Sequence, residues 1–172
     1  MDAQALLTLG PSHAWIRHED ETGKWTNVEL TSGQFPSDGL MMTELGVGNE
    51  AIRSGAYGKE LTEQQALAFM LTQLALGYQH KTGRWDAFTD KCADLSIRYF
   101  SPNVVAYMMK ANRATVQAQE LTASNPAQKE KLELLHQQFE LYQSKLRTLG
   151  AGSLTSESYN QWVKSMKTRT TK

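Results

Sequence analysis

Residues 13–33 read HAWIRHEDETGKWTNVELTSG. In an extended chain successive side chains point to opposite faces, so His13, Trp15 and Arg17 share one side and Ala14, Ile16 and His18 the other. Glu19-Asp20-Glu21-Thr22-Gly23 is a turn by composition, and the run from Lys24 to Thr31 contains Trp25, Val28, Leu30 and Thr31, which favour a second strand. An antiparallel hairpin of the two runs sets His13 and Thr31 at neighbouring ends, with Glu29 close behind. A histidine acting as general base needs its other ring nitrogen held by an acceptor, and a neighbouring carboxylate supplies one. His13 and Glu29 are therefore the candidate catalytic pair.

Outward from this hairpin, the bulk properties narrow the classes. At 172 residues the chain is long enough to bury a sizeable core. Its net charge is zero, so no general affinity for nucleic acid is expected. Acids outnumber Lys and Arg up to Glu60 and the reverse holds beyond it. The start, MDAQALLTLGPSH, has neither the basic region nor the long apolar stretch of a signal peptide, which makes a cytoplasmic location the default expectation. No apolar run reaches the roughly 20 residues that span a bilayer. One cysteine, Cys92, excludes an internal disulfide and a cysteine-rich zinc site. His13, His18, His80 and His136 match no ligand spacing, so no metal is expected; with no phosphate-loop context around Gly46–Ala51, neither is a cofactor.

Residues 34–60 read as a connector of short helical turns. Pro36 and Ser37 mark one start and Asn49 caps another, with Leu40, Met41, Leu45 and Ile52 available for packing. After Lys59 the periodicity becomes helical. Thr62 and Gln65 form a capping-box start, Leu67, Met70, Leu71, Leu74 and Tyr78 follow one face, and Gly83 is the stop. A second helix runs from Trp85 to Phe100, its stripe Phe88, Cys92, Leu95 and Tyr99, which makes Cys92 core and not a reactive thiolate. Asn103 caps a third, with Val104, Tyr107, Met108, Ala111, Thr115 and Ala118 on its face. Asn125-Pro126 signals a fourth, whose Leu132, Leu135, Phe139, Tyr142, Leu146 and Leu149 form a narrow seam beside Leu134 and Leu141 until Gly150. Ser156 caps a last one with Tyr159, Trp162, Val163 and Met166 on one face. The expected fold is α+β, mainly α: a short antiparallel hairpin (1–33), the connector (34–60) and a helical array (61–172).

Two resemblances follow from quoted residues. H-A-W, a turn, then W-x-x-x-E-x-T resembles the second half of the transglutaminase-like core, a papain-related fold. His13 matches the family's catalytic histidine, Trp15 and Trp25 its aromatics, Glu29 its aspartate and Thr31 the threonine after it. Glutamate in place of aspartate lengthens the arm by a methylene, and Leu30 stands where the family has proline. The family's cysteine precedes the histidine by far more than twelve residues, and MDAQALLTLGPS contains none. Leu74-Ala75-Leu76-Gly77-Tyr78, the Gly83-Arg84-Trp85 turn and Pro102 resemble a tetratricopeptide repeat, where Gly77 would let a partner helix approach.

Together these resemble the C-terminal portion of bacterial transglutaminase-like proteins with helical repeats. The resemblance implies a catalytically incomplete domain joined to a module for a protein or peptide partner. The alternative is the C-terminal half of a cysteine peptidase or acyltransferase whose nucleophile lies upstream or in another chain. Loss of the nucleophile alone costs about six orders of magnitude in such triads, so the chain by itself is not expected to be an enzyme.

Overall fold

The computed structural model describes residues 5–124 and 128–151. Three strands open it: β1 (Ala5–Gly10), β2 (His13–Glu19) and β3 (Trp25–Val28), in an antiparallel sheet of order β1-β2-β3. The expected hairpin is thus the outer two-thirds of a sheet. Strand β1 precedes the expected hairpin, and its Leu6-Leu7-Thr8-Leu9 run carries no clean apolar–polar alternation to mark it. It pairs with β2 from Ala5↔His18 to Gly10↔His13, and Leu9 and the fully buried Thr8 belong to the interior. Strand β3 is shorter than the Lys24–Thr31 run. It stops at Val28, and Glu29 pairs instead with Gln34 across a tight turn.

The connector forms α1 (Asp38–Glu44) and α2 (Asn49–Ser54). Ser37 caps α1, accepting from the Leu40 N–H at 3.3 Å. Asn49 is the first residue of α2 and not its cap, a position held by Gly48. Met41 and Ala51 are buried, whereas Leu40 is exposed.

Two antiparallel helix pairs follow: α3 (Glu63–Thr82) with α4 (Ala87–Tyr99), and α5 (Val104–Ser124) with α6 (Lys129–Thr148), α4 and α5 making the joint. The chain is α+β, mainly α. Local signals hold here. Thr62 and Gln65 exchange both bonds of the capping box, at 3.3 and 3.0 Å. Asp86 and Thr89 form a second box, and the Asn103 carboxamide accepts from the Ala106 N–H at 3.3 Å. Asn125-Pro126 and the Ser156–Met166 stripe lie outside the described residues.

The expected helix faces need correction. On α3 the buried residues are Ala68, Thr72 and Ala75, while Leu67, Met70 and Leu74 are exposed at 64, 55 and 55%. On α4, Phe88 and Tyr99 are exposed, and Thr89, Cys92, Ala93 and Ser96 are buried. Small side chains let these two helices close on one another, and Ser96 Oγ donates across the gap to the Ala68 carbonyl at 2.6 Å. Gly77 has no part in that approach: it is exposed, and an added Cβ would meet nothing within 4 Å. On α5, Val104, Tyr107 and Ala111 are buried as expected, but Met108 is exposed and Ala114 and Leu121 take the inner face. The α6 seam is narrow: Leu135 and Leu146 are buried, Phe139 is partly buried, and Leu134 and Leu141 face solvent. Lys110 reaches Asp94 at 2.9 Å and bridges α5 to α4.

The main core gathers Leu9 of the sheet, Ala51 and Tyr57 of the connector, Ala68, Phe100, Val104 and Tyr107 of the helices, and Leu146 with Ala151. Gly150 makes this closure physically possible. Its φ is +75°, and a Cβ there would lie 2.5 Å from the Ala51 backbone nitrogen.

Candidate functional site

His13 begins β2 immediately after the two-residue Pro11-Ser12 turn. Proline suits the first turn position, but Ser12 carries φ +54°, a left-handed conformation costing about 1–2 kcal/mol for a residue with a Cβ. On the preceding strand Gly10 is closely packed: a Cβ would sit 2.6 Å from Leu45 Cδ1 and 3.2 Å from the Trp15 ring, so the Leu45 side chain would have to move. The Trp15 ring is 1% exposed and stacks with the His13 imidazole, centroids 6.2 Å apart and planes 21° from parallel.

Glu29 is fixed from the other side. Its N–H donates to the Gln34 carbonyl at 2.9 Å, and its own carbonyl accepts from Gly33 N–H at 2.8 Å. Register accounts for the meeting with His13. Ile16 faces Val28 and Arg17 faces Asn27, so His13, Trp15, Asn27 and Glu29 share one face of the sheet. His13 Nε2 and Glu29 Oε2 are hydrogen-bonded, with side chains 27 and 14% exposed. Glu29 Oε1 accepts from the Thr31 N–H at 2.7 Å. Desolvation pushes the Glu29 carboxyl up, but the Thr31 N–H, then His13, then the Thr31 hydroxyl outweigh it, and the carboxyl titrates below its ordinary value.

Asn27 is a residue that sequence reading missed. Its Oδ1 accepts from Trp15 Nε1 at 2.9 Å, and its Nδ2 donates to the Pro36 carbonyl at 3.0 Å and to Asp38 Oδ1 at 2.7 Å. Its odd-numbered place between Trp25 and Glu29 was the available signal. Arg17, on the same face, pairs with Glu60 and lies 3.4 Å from Asp38.

With Nε2 engaged by a carboxylate, Nδ1 is the ring nitrogen left to accept or return a proton. Cys92 does not join this pair. It packs with Ala75, Ala93 and Met109, and burial pushes its thiol up, away from the thiolate form. Among the described residues no three His, Cys, Asp or Glu side chains are grouped so as to hold an ion. No described helix is long and apolar enough to cross a membrane.

Beside His13 the β1–β2 turn, the Ala56-Tyr57 segment, α3 and the start of α5 line a partly open cavity of about 300 Å³. Leu9, Tyr57, Phe69, Phe100 and Val104 are its apolar wall. A second, shallower groove on α3 contains Leu67, Met70 and Leu74 with Tyr99. The chain matches no protein-family model, no curated protein and no solved structure.

Proposed function

We propose that His13 and Glu29 are the base and the positioning acid of a transglutaminase-like acyl-transfer site, carried on a helical module and completed by a thiol from outside the described residues. The observation that carries this reading is the paired, half-buried imidazole and carboxylate on one face of the sheet. In the reaction, an incoming thiol gives its proton to His13 Nδ1 and adds to an amide carbonyl. His13 then protonates the departing amine, leaving a thioester that water or a second amine resolves. Glu29 holds the ring orientation and stabilises the imidazolium as it forms.

The test is alkylation by iodoacetamide of the chain assembled with the segment encoded upstream of Met1 or with a co-purifying cysteine-bearing chain. One thiol should react in mildly acidic buffer, at a rate falling about tenfold or more in His13→Ala. A rate indifferent to His13, or no cysteine-bearing segment in either place, defeats the proposal.

A second reading, protein binding by the helical region, rests on the exposed Leu67, Met70 and Leu74 row. A photo-crosslinker at position 70 should yield a discrete adduct in cells, abolished by Leu67→Lys with Leu74→Lys. Absence of any adduct removes this reading.

A further inference from the structure

We propose that the cavity beside His13 binds a compact apolar group, aliphatic or aromatic, attached to a carbonyl, and holds that carbonyl against the imidazole. The proposal deepens the acyl-transfer reading and rests on it for the carbonyl, while the apolar site stands on its own geometry.

Small-molecule sites are concave, largely apolar clefts with a few placed polar groups. This partly open cleft, at about 300 Å³, sits at the lower bound of such sites. Its walls come from separate parts of the chain. Leu9 (5% exposed) comes from the sheet, Tyr57 (7%) from the connector, and Phe100 (2%) and Val104 (3%) from the helices. All four are members of the main core, so the cleft ends on the edge of that core and its floor is held in place by the fold. The polar side chains at its edge are His13, Ser12, Gln73 and Asn103, and the Asn103 carboxamide is already committed to Ser96 Oγ and the Ala106 N–H. Ser12 is the one described non-glycine residue with positive φ, and strain of this kind gathers at sites where it is functional. The Tyr57 phenol, pushed by burial to about 12, stays protonated and adds no charge to the wall. The chemistry selects an uncharged body with one polar end.

The experiment titrates hexanamide, phenylacetamide, acetamide and succinamide into the isotope-labelled full chain and follows the Leu9 and Val104 methyl signals and the His13 ring signals. Hexanamide and phenylacetamide should give saturable shifts at these positions. Affinity should rise about three- to fourfold for each methylene added to acetamide until the cavity is filled. Succinamide, polar at both ends, should bind no better than acetamide. Gln73→Trp, a change at an exposed helix position of the rim, should weaken hexanamide binding about tenfold or more while the remaining methyl spectrum stays folded. Equal binding of all four amides, no saturable shift at Leu9 and Val104, or affinity unaffected by Gln73→Trp overturns the proposal. Methyl shifts without any change at the His13 ring overturn its placement of the carbonyl. The alkylation assay is independent: if it fails while the methyl titration succeeds, the apolar site stands and the acyl-transfer role does not.

Discussion

Trp15 Nε1 donates to Asn27 Oδ1 at 2.9 Å, and both side chains are closed off from solvent beside the His13–Glu29 pair on the same face of the sheet. The contact turns two strands into one platform. The indole cannot shift without breaking a buried bond, and the His13 imidazole lies alongside it at 6.2 Å between ring centroids.

Asn27→Ala leaves the buried indole N–H without its acceptor and removes the bonds to Pro36 and Asp38. An unsatisfied buried donor costs about 1–3 kcal/mol, and urea unfolding should show a loss of that size. The ring signals of His13 should broaden in the same variant while the helices keep their far-ultraviolet signature.

Glu29→Gln tests the carboxylate by pH. The folded Glu29 carboxyl titrates below its unfolded value, so its contribution is fully present above the unfolded value and is lost as pH falls through the folded one. The stability difference between wild type and variant, measured from pH 5 downward by thermal unfolding, should therefore shrink with acid. A difference that widens with acid contradicts the bonding described.

Cys92 should react with a disulfide reagent only as the protein opens. Burial raises its thiol and closes its access, so the native rate should be far below the rate in denaturant. Fast stoichiometric labelling of the native chain would contradict its place beside Ala75 and Met109.

The two faces of α3 should respond oppositely to substitution. Met70→Lys changes an exposed position and should alter stability by no more than about 0.5 kcal/mol. Ala75→Leu forces bulk into a fully buried contact with α4 and should cost about 1–3 kcal/mol. Chemical denaturation of the two variants side by side decides this.

Gly150→Ala combines positive φ with a Cβ 2.5 Å from the Ala51 nitrogen. A loss of about 2 kcal/mol or more is expected, read as a lowered Tm.

What could be read from the sequence was local. Thr62 and Gln65 declare a capping box three residues apart, Asn103 declares a cap, and the parity of His13 and Glu29 puts them on one face once the strands pair. Choosing between the faces of α3 required knowledge of its neighbour. Leucine and methionine at 67, 70 and 74 favoured burial by size, yet the helix partner demanded alanine and threonine at 68, 72 and 75. The cavity was equally hidden, because Leu9, Tyr57 and Val104 meet only after the whole chain has closed. Asn27 lay within the quoted stretch, but its three bonds reach Trp15 on β2, the Pro36 carbonyl and Asp38 at the start of α1.

The clasp between α2 and the end of α6 sets a timetable for synthesis. Ser54 Oγ donates to the Leu149 carbonyl at 3.1 Å across 95 positions of chain. At a translation speed of about 5–20 residues per second, the sheet and α2 wait on the order of 5–20 s for the partner that seals them. Through that interval a nascent polypeptide shows strand edges and apolar side chains to its surroundings. Ribosome-associated holdases have their opportunity there, and aggregation competes with them.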